Sequence, residues 1–167
     1  MQLIARRTWR FFEIFVTEEE HWLPPDNFQE DPQPVVARRT SPTNMGMYLL
    51  STLVARDFRW IGLVDMVERL EATLTTMTTM RRFHGHFVNW YDTSDLSPLE
   101  PLYISTVDSG NLAGHLIALA RGCRQTAPRP RPGPQVLEGI RDALQPVLDT
   151  LGQPGFSPRT ETVTALQ

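Results

Sequence analysis

The chain has no lysine; all 16 of its basic residues are arginine. A GC-rich coding background explains this more simply than a chemical demand, although the two side chains are not interchangeable. It has a single cysteine, Cys123, which excludes an internal disulfide framework and any zinc site built from several cysteines. No apolar run reaches the roughly 20 residues of a membrane-spanning helix. The start, MQLIARRTWRFFEIF, puts arginines and a glutamate where a signal peptide keeps an apolar core, so the segment is expected to be soluble. A net charge of -3 gives no overall basic field for nucleic acid. No glycine-rich dinucleotide motif, P-loop, GxSxG elbow or HExxH pair is present, so nucleotide, serine-hydrolase and metalloprotease readings have no support.

What is there fits one ordinary domain, or a piece of a larger one: 167 residues, 41% hydrophobic, with 14 prolines. The stretch Phe83 to Asn111, FHGHFVNWYDTSDLSPLEPLYISTVDSGN, follows neither a helical nor a strand period. It holds Trp90, Tyr91 and Tyr103 with Asp92, Asp95, Glu100 and Asp108, too aromatic for a disordered tether, and reads as an ordered functional loop. Aromatic faces beside carboxylates and amides suit a sugar, with its apolar ring faces and hydroxyl rims. His84-Gly-His86 lacks the converging ligands zinc needs, and Cys123 sits in a helix end beside two arginines with no evident histidine partner.

Helices are expected over Leu3–Val16, Thr43 to about Arg56, Leu63 to about Met80, Gly110 to about Arg121, and about Gln135–Leu151. In the first, Ile4, Phe11, Phe12 and Phe15 share a face. Ser41 with Pro42 is a strong start for the second, which is apolar nearly all round. The third carries one stripe, Val67, Leu70, Leu74 and Met77, with Asp65, Glu68, Arg69 and Glu71 solvated. The fourth, capped by Asp108 or Ser109, is expected to be buried. Pro146 should kink or split the last. His21–Thr40, with four prolines, is the other long loop. The layout divides into 1–124, a Pro/Arg-rich linker at 125–134, a helical segment at 135–151 and a frayed tail at 152–167.

Ser41-Pro-Thr-Asn44 and Asp108-Ser-Gly-Asn111 begin two buried helices alike. Alternating buried and one-sided helices, with long loops at one end and short links at the other, are what a ring of helical hairpins requires. The fold class is therefore all-α, an incomplete array of helical hairpins with long loops at one end; five helices cannot close a ring. If both long loops share an end, Asp26, Glu30 and Asp31 face Asp92, Asp95, Glu100 and Asp108 across a mouth. Glycosidic chemistry uses two carboxylates, about 5–5.5 Å apart for retention and about 6.5–9.5 Å for inversion. Each carboxylate also has a plainer use, capping a helix or pairing with an arginine.

Four blocks in order, WLPPDNFQE (22–30), ARRTSPTNMGMYLLSTLVARDF (37–58), FHGHFVNWYDT (83–93) and STVDSGNLAGHLIAL (105–119), resemble the cyclic β-1,2-glucan synthases. The resemblance runs from about Ala5 to Cys123. It implies a large bacterial parent at the cytoplasmic face of the inner membrane. In that family a membrane-embedded glycosyltransferase, using UDP-glucose and a divalent metal, extends a β-1,2-glucan. A central glucoamylase-like (α/α)6 domain closes the ring by transglycosylation, and a phosphorylase-like domain trims chain length. The blocks look like the first helices of that central domain, so the resemblance implies that the array of hairpins is an incomplete (α/α)6-barrel-like one. The resemblance places the catalytic carboxylates further along, so no catalytic residue, metal ligand or cofactor is assigned to this chain. It implies that the partners are the β-1,2-glucan chain and the remaining domains, with no nucleic acid and no membrane insertion of this segment. The sugar-contacting candidates are Asp26, Asn27, Glu30, Arg39, Asn44, Trp90, Tyr91, Asp92, Asp108 and Asn111, with Trp90 and Tyr91 stacking on glucose rings. A non-catalytic protein-binding scaffold, or part of a β-1,2-glucan hydrolase, are the alternatives.

Overall fold

The computed structural model describes residues 2–126 and 135–151. Five helices carry it: α1 (Gln2–Phe15), α2 (Pro42–Asp57), α3 (Leu63–Thr79), α4 (Thr106–Thr126) and α5 (Gln135–Leu151). Six strands of two residues each lie between them: β1 (Phe28–Gln29), β2 (Val35–Val36), β3 (Arg39–Thr40), β4 (Arg82–Phe83), β5 (His86–Phe87) and β6 (Tyr91–Asp92). They pair antiparallel as β1–β2, β3–β6 and β4–β5. The chain is thus mainly helical rather than all-α. Two-residue strands are too short to print a period on the sequence.

α2 starts where its residues dictate. Ser41 Oγ accepts from the Asn44 N–H at 3.2 Å, and Pro42 occupies the first turn, where it forfeits no hydrogen bond. Met45, Tyr48, Leu49, Thr52 and Leu53 are all buried along it. α4 begins four residues earlier than expected. Its cap is Ser105, whose hydroxyl accepts from the Asp108 N–H at 3.1 Å. The counterpart of Ser41-Pro-Thr-Asn44 is therefore Ser105-Thr-Val-Asp108, and Asp108, lying inside the first turn, is free to use its side chain elsewhere.

α2 and α4 run parallel. Thr43 meets Asp108 and Asn111, Gly46 meets His115, and Leu53 meets Gly122, in the same order along both helices. The backbones approach so closely that a Cβ on Gly46 would lie 2.9 Å from the His115 Cβ. α3 returns through a short link and packs on α2. Its buried stripe is Met66, Leu70, Thr73 and Met77; Val67 and Leu74 are exposed. Leu70 and Met77 are buried as expected, while Met66 and Thr73 take the places of Val67 and Leu74; Thr73 reads as polar, yet its hydroxyl donates to the Trp22 carbonyl at 2.8 Å and is satisfied inside.

α1 buries Trp9 and Phe12 against Tyr48, while Ile4 faces out. Arg69 departs from the solvated set: it is ion-paired to Asp65 and its guanidinium lies over the Trp9 ring. α5 packs on α1, with Arg7 paired to Asp149 at 3.2 Å. It is one continuous helix from Gln135 to Leu151, so it is not split at Pro146. α4 is not buried all round. Only Leu112 and Leu119 are buried, and Ile117 is 73% exposed, because among the described residues α2 is its main neighbour. Gln125 and Thr126 belong to α4 rather than to a linker. The rest of the 125–134 linker and the 152–167 tail lie outside the described residues.

Candidate functional site

Both long loops lie over the N-terminal ends of α2 and α4, and a ladder joins them. Arg39 pairs with Asp92 and Thr40 with Tyr91 in the β3–β6 register. A second seam sits behind it. Thr93 donates its hydroxyl to Glu20 Oε2 and its N–H to the Arg38 carbonyl, and Arg38 bridges to Glu20 Oε1 at 2.9 Å. His21 Nδ1 lies 2.9 Å from the Thr93 carbonyl.

The first loop is pinned from below. His21 and Trp22 both have left-handed backbones, with φ of 53° and 59°. Such residues are strained by about 1–3 kcal/mol each and persist only when their surroundings fix them. Thr76 and Thr73 of α3 do this by donating to the carbonyls of His21 and Trp22.

On that frame the polar side chains form one continuous network. Asp26 is the hub of its first half. Its Oδ2 accepts from Arg39 Nη2 at 3.0 Å and from the Asn27 amide at 3.1 Å, and its Oδ1 accepts from the Asn44 amide at 3.3 Å. Arg39 then lies over the Trp90 indole, 4.8 Å from its centre. Asp108 is the hub of the second half. Its Oδ1 accepts from Thr43 Oγ1 at 2.5 Å, and Thr43 accepts from the Asn111 amide at 3.1 Å. Asn89, with its amide turned to satisfy its neighbours, donates to Asp108 Oδ2 at 3.0 Å. The Asn89 oxygen accepts from Trp90 Nε1 at 2.5 Å and from the Tyr103 hydroxyl at 2.6 Å. Trp90 is therefore gripped at its face by one half and at its N–H by the other.

Asp26, Asn27, Arg39, Asn44, Trp90, Asp108 and Asn111 are brought together in this way. Asp92 joins through the ladder, its carboxylate held by the N–H and hydroxyl of Ser94. Glu30 is exposed between β1 and β2, and no hydrogen bond or ion pair among the described residues ties it to the network. Tyr91 corrects the stacking expectation. It is 0% exposed, packed edge-on to Phe87, with its hydroxyl donating to the Arg81 carbonyl and accepting from the Val88 N–H. The ladder register turns it inward and leaves its neighbour Trp90 half-buried at the surface. Burial pushes the Tyr91 phenol above its ordinary pKa.

Thr43, Asn89 and Tyr103 complete the network without having been singled out as site residues. Tyr103 stands out as one of the loop's aromatics and Asn89 by its position beside Trp90; nothing in the sequence marks Thr43. The carboxylates mostly take their plainer use: Asp95 and Glu100 each accept from the backbone N–H two residues on. Hydrogen bonding to Ser97 holds the Asp95 carboxyl below its usual range. His84 and Gly85 form the tight turn of the β4–β5 hairpin, both with positive φ, so the two histidines serve a turn. Among the described residues no three His, Cys, Asp or Glu side chains converge as metal ligands would. No described helix is long and apolar enough to cross a membrane. The arrangement offers an indole with donors and acceptors on both flanks, which can hold a polyhydroxylated ring.

No family model matches the chain. It is 54% identical over 154 residues, 92% of its length, to the cyclic β-(1,2)-glucan synthase NdvB of Rhizobium meliloti (strain 1021). The matched stretch is about 5% of that protein's length. With more than half of the aligned residues identical over nearly its full extent, this chain belongs to the cyclic β-(1,2)-glucan synthase family, as the counterpart of one short stretch of it.

Proposed function

We propose that this chain supplies sugar-binding loops to the part of a cyclic β-1,2-glucan synthase that cyclises the glucan by transglycosylation. The carrying observation is that both long loops meet over the aligned N-termini of α2 and α4, with Trp90 framed by amides and carboxylates. Parallel inner helices, joined through an outer helix running the other way, are the repeat of an (α/α)6 barrel. The bare side of α4 around Ile117 is then the side that meets further barrel helices. The reading assigns this chain positioning and binding only. The acid and base of the transfer, and the UDP-glucose and divalent metal of the transferase domain, belong to other parts of the whole synthase at the cytoplasmic face of the membrane.

In this reading a glucose ring lies against the exposed part of the indole that Arg39 leaves. Asp26, Asn44 and Asn111 turn polar atoms to its hydroxyls. Calorimetric titration of the chain with β-1,2-linked glucan oligosaccharides tests it. Binding is expected, with Trp90→Ala weakening it about threefold to tenfold, the worth of one aromatic contact. No measurable binding, or binding untouched by Trp90→Ala, would overturn it. The exposed apolar residues of α4 favour a second reading, a scaffold whose partner is a protein. Trp90→Ala and Asp92→Ala without effect on the whole enzyme's activity would support that one. A β-1,2-glucan hydrolase differs in product alone, and product analysis of the whole enzyme separates it.

A further inference from the structure

Beside the Trp90 network lies a cavity of about 440 Å³, lined among others by Arg81, Phe83, Val88, Leu102, Tyr103 and Ile104. That volume falls within the range of about 300–1,000 Å³ of small-ligand sites. Phe83 is 60% and Tyr103 49% exposed, so the cavity has two accessible aromatic rings. Among the described residues no carboxylate lines it. Arg82 is committed elsewhere, donating to the Met77 carbonyl and lying over Phe87. The Arg81 guanidinium makes no hydrogen bond or ion pair among the described residues; the Arg81 carbonyl alone is used, by Tyr91.

Tyr103 belongs to both places. Its ring lines the cavity, while its hydroxyl donates to the Asn89 amide oxygen that also receives the Trp90 N–H. A ligand extending from Trp90 in this direction meets two aromatic rings, an aliphatic wall and one solvent-exposed guanidinium with no partner among the described residues. That mixture matches the two surfaces of a pyranose, apolar C–H faces and a rim of hydroxyls. A simple anion would use the arginine and leave the walls unused.

We propose that this cavity is an extension subsite for the glucan, taking sugar units beyond the one at Trp90, with Phe83 as platform and Arg81 as hydroxyl donor. The inference rests on the proposed glucan-binding role. Its test is titration of the full chain with β-1,2-linked glucooligosaccharides from disaccharide to hexasaccharide, for wild type, Phe83→Ala, Arg81→Ala and Trp90→Ala. Both extension residues are exposed, and melting temperatures verify that the variants stay folded. The expected result is affinity that rises with length, a rise that Phe83→Ala cuts by about threefold to tenfold. Arg81→Ala should cut it too, and neither variant should change disaccharide binding. If the disaccharide binds through Trp90 but length adds nothing, the subsite is overturned while the role of Trp90 stands. Equal weakening of short and long chains by Phe83→Ala, or displacement of long chains by inorganic sulfate, also overturns it. No binding at any length overturns both.

Discussion

Asp108 reads in the sequence as a helix cap, and its position inside the first turn of α4 instead makes it the link between two helices. Ser105 does the capping, which leaves both Asp108 oxygens for Thr43 and Asn89. Thr43→Val keeps the shape of that side chain but removes a donor to Asp108 and an acceptor for Asn111. Losing these half-exposed bonds should cost about 0.5–1.5 kcal/mol, seen as a lower urea midpoint with an unchanged slope. Tyr91 and Tyr48 carry a second residue-scale prediction. Burial raises both phenols above their ordinary value of about 10. The folded value lies above the unfolded one, so their contribution is complete below pH about 10 and is lost as pH climbs through the folded value. The urea midpoint should hold to about pH 9 and then fall. Tyr91→Phe, less stable near neutrality for want of two hydrogen bonds, should fall less steeply.

Among the elements, the contact of α2 with α4 sets the geometry of the mouth. A methyl group on Gly46 would meet His115 close to its backbone, at 2.9 Å from Cβ, whereas one on Gly114 would meet nothing within 4 Å. Gly46→Ala should therefore destabilise by about 1–3 kcal/mol through overpacking. Gly114→Ala, in the same helix pair, should stabilise by about 0.5–1 kcal/mol through helix propensity. Thermal melts of the two variants read the opposite signs directly. Here the sequence was legible where one physical signal dominated. Ser41-Pro42 announced α2, and the short link announced the return of α3. It was illegible where a polar residue did an apolar residue's job, as Thr73 does in α3. It also failed where strands of two residues decided the outcome. The β3–β6 register turns Tyr91 in and Trp90 out, and nothing in NWYD distinguishes them. Glu30 and Asp26 share one loop, yet only Asp26 is reached by Arg39 and Asn44.

For the molecule as a whole, two proline-bearing loops far apart in sequence close over one end of a parallel helix pair, and the proposed function makes a glucan the occupant of that end. In the proposed barrel the exposed side of α4 around Ile117 is the side that would meet further helices. The chain contains four tryptophans, so the indole N–H signals of a ¹⁵N-labelled sample report on the site separately from the core. Trp9 is buried against α2, and Trp60 lies under Arg6 of α1. Titrating that sample with a β-1,2-linked glucan oligosaccharide, and in parallel with a β-1,4-linked one, is the most direct test. The account predicts that the Trp90 indole signal moves with the β-1,2 ligand while those of Trp9 and Trp60 stay in place. A Trp90 signal that does not move while the chain binds the glucan, or that moves equally with the β-1,4 ligand, would contradict it.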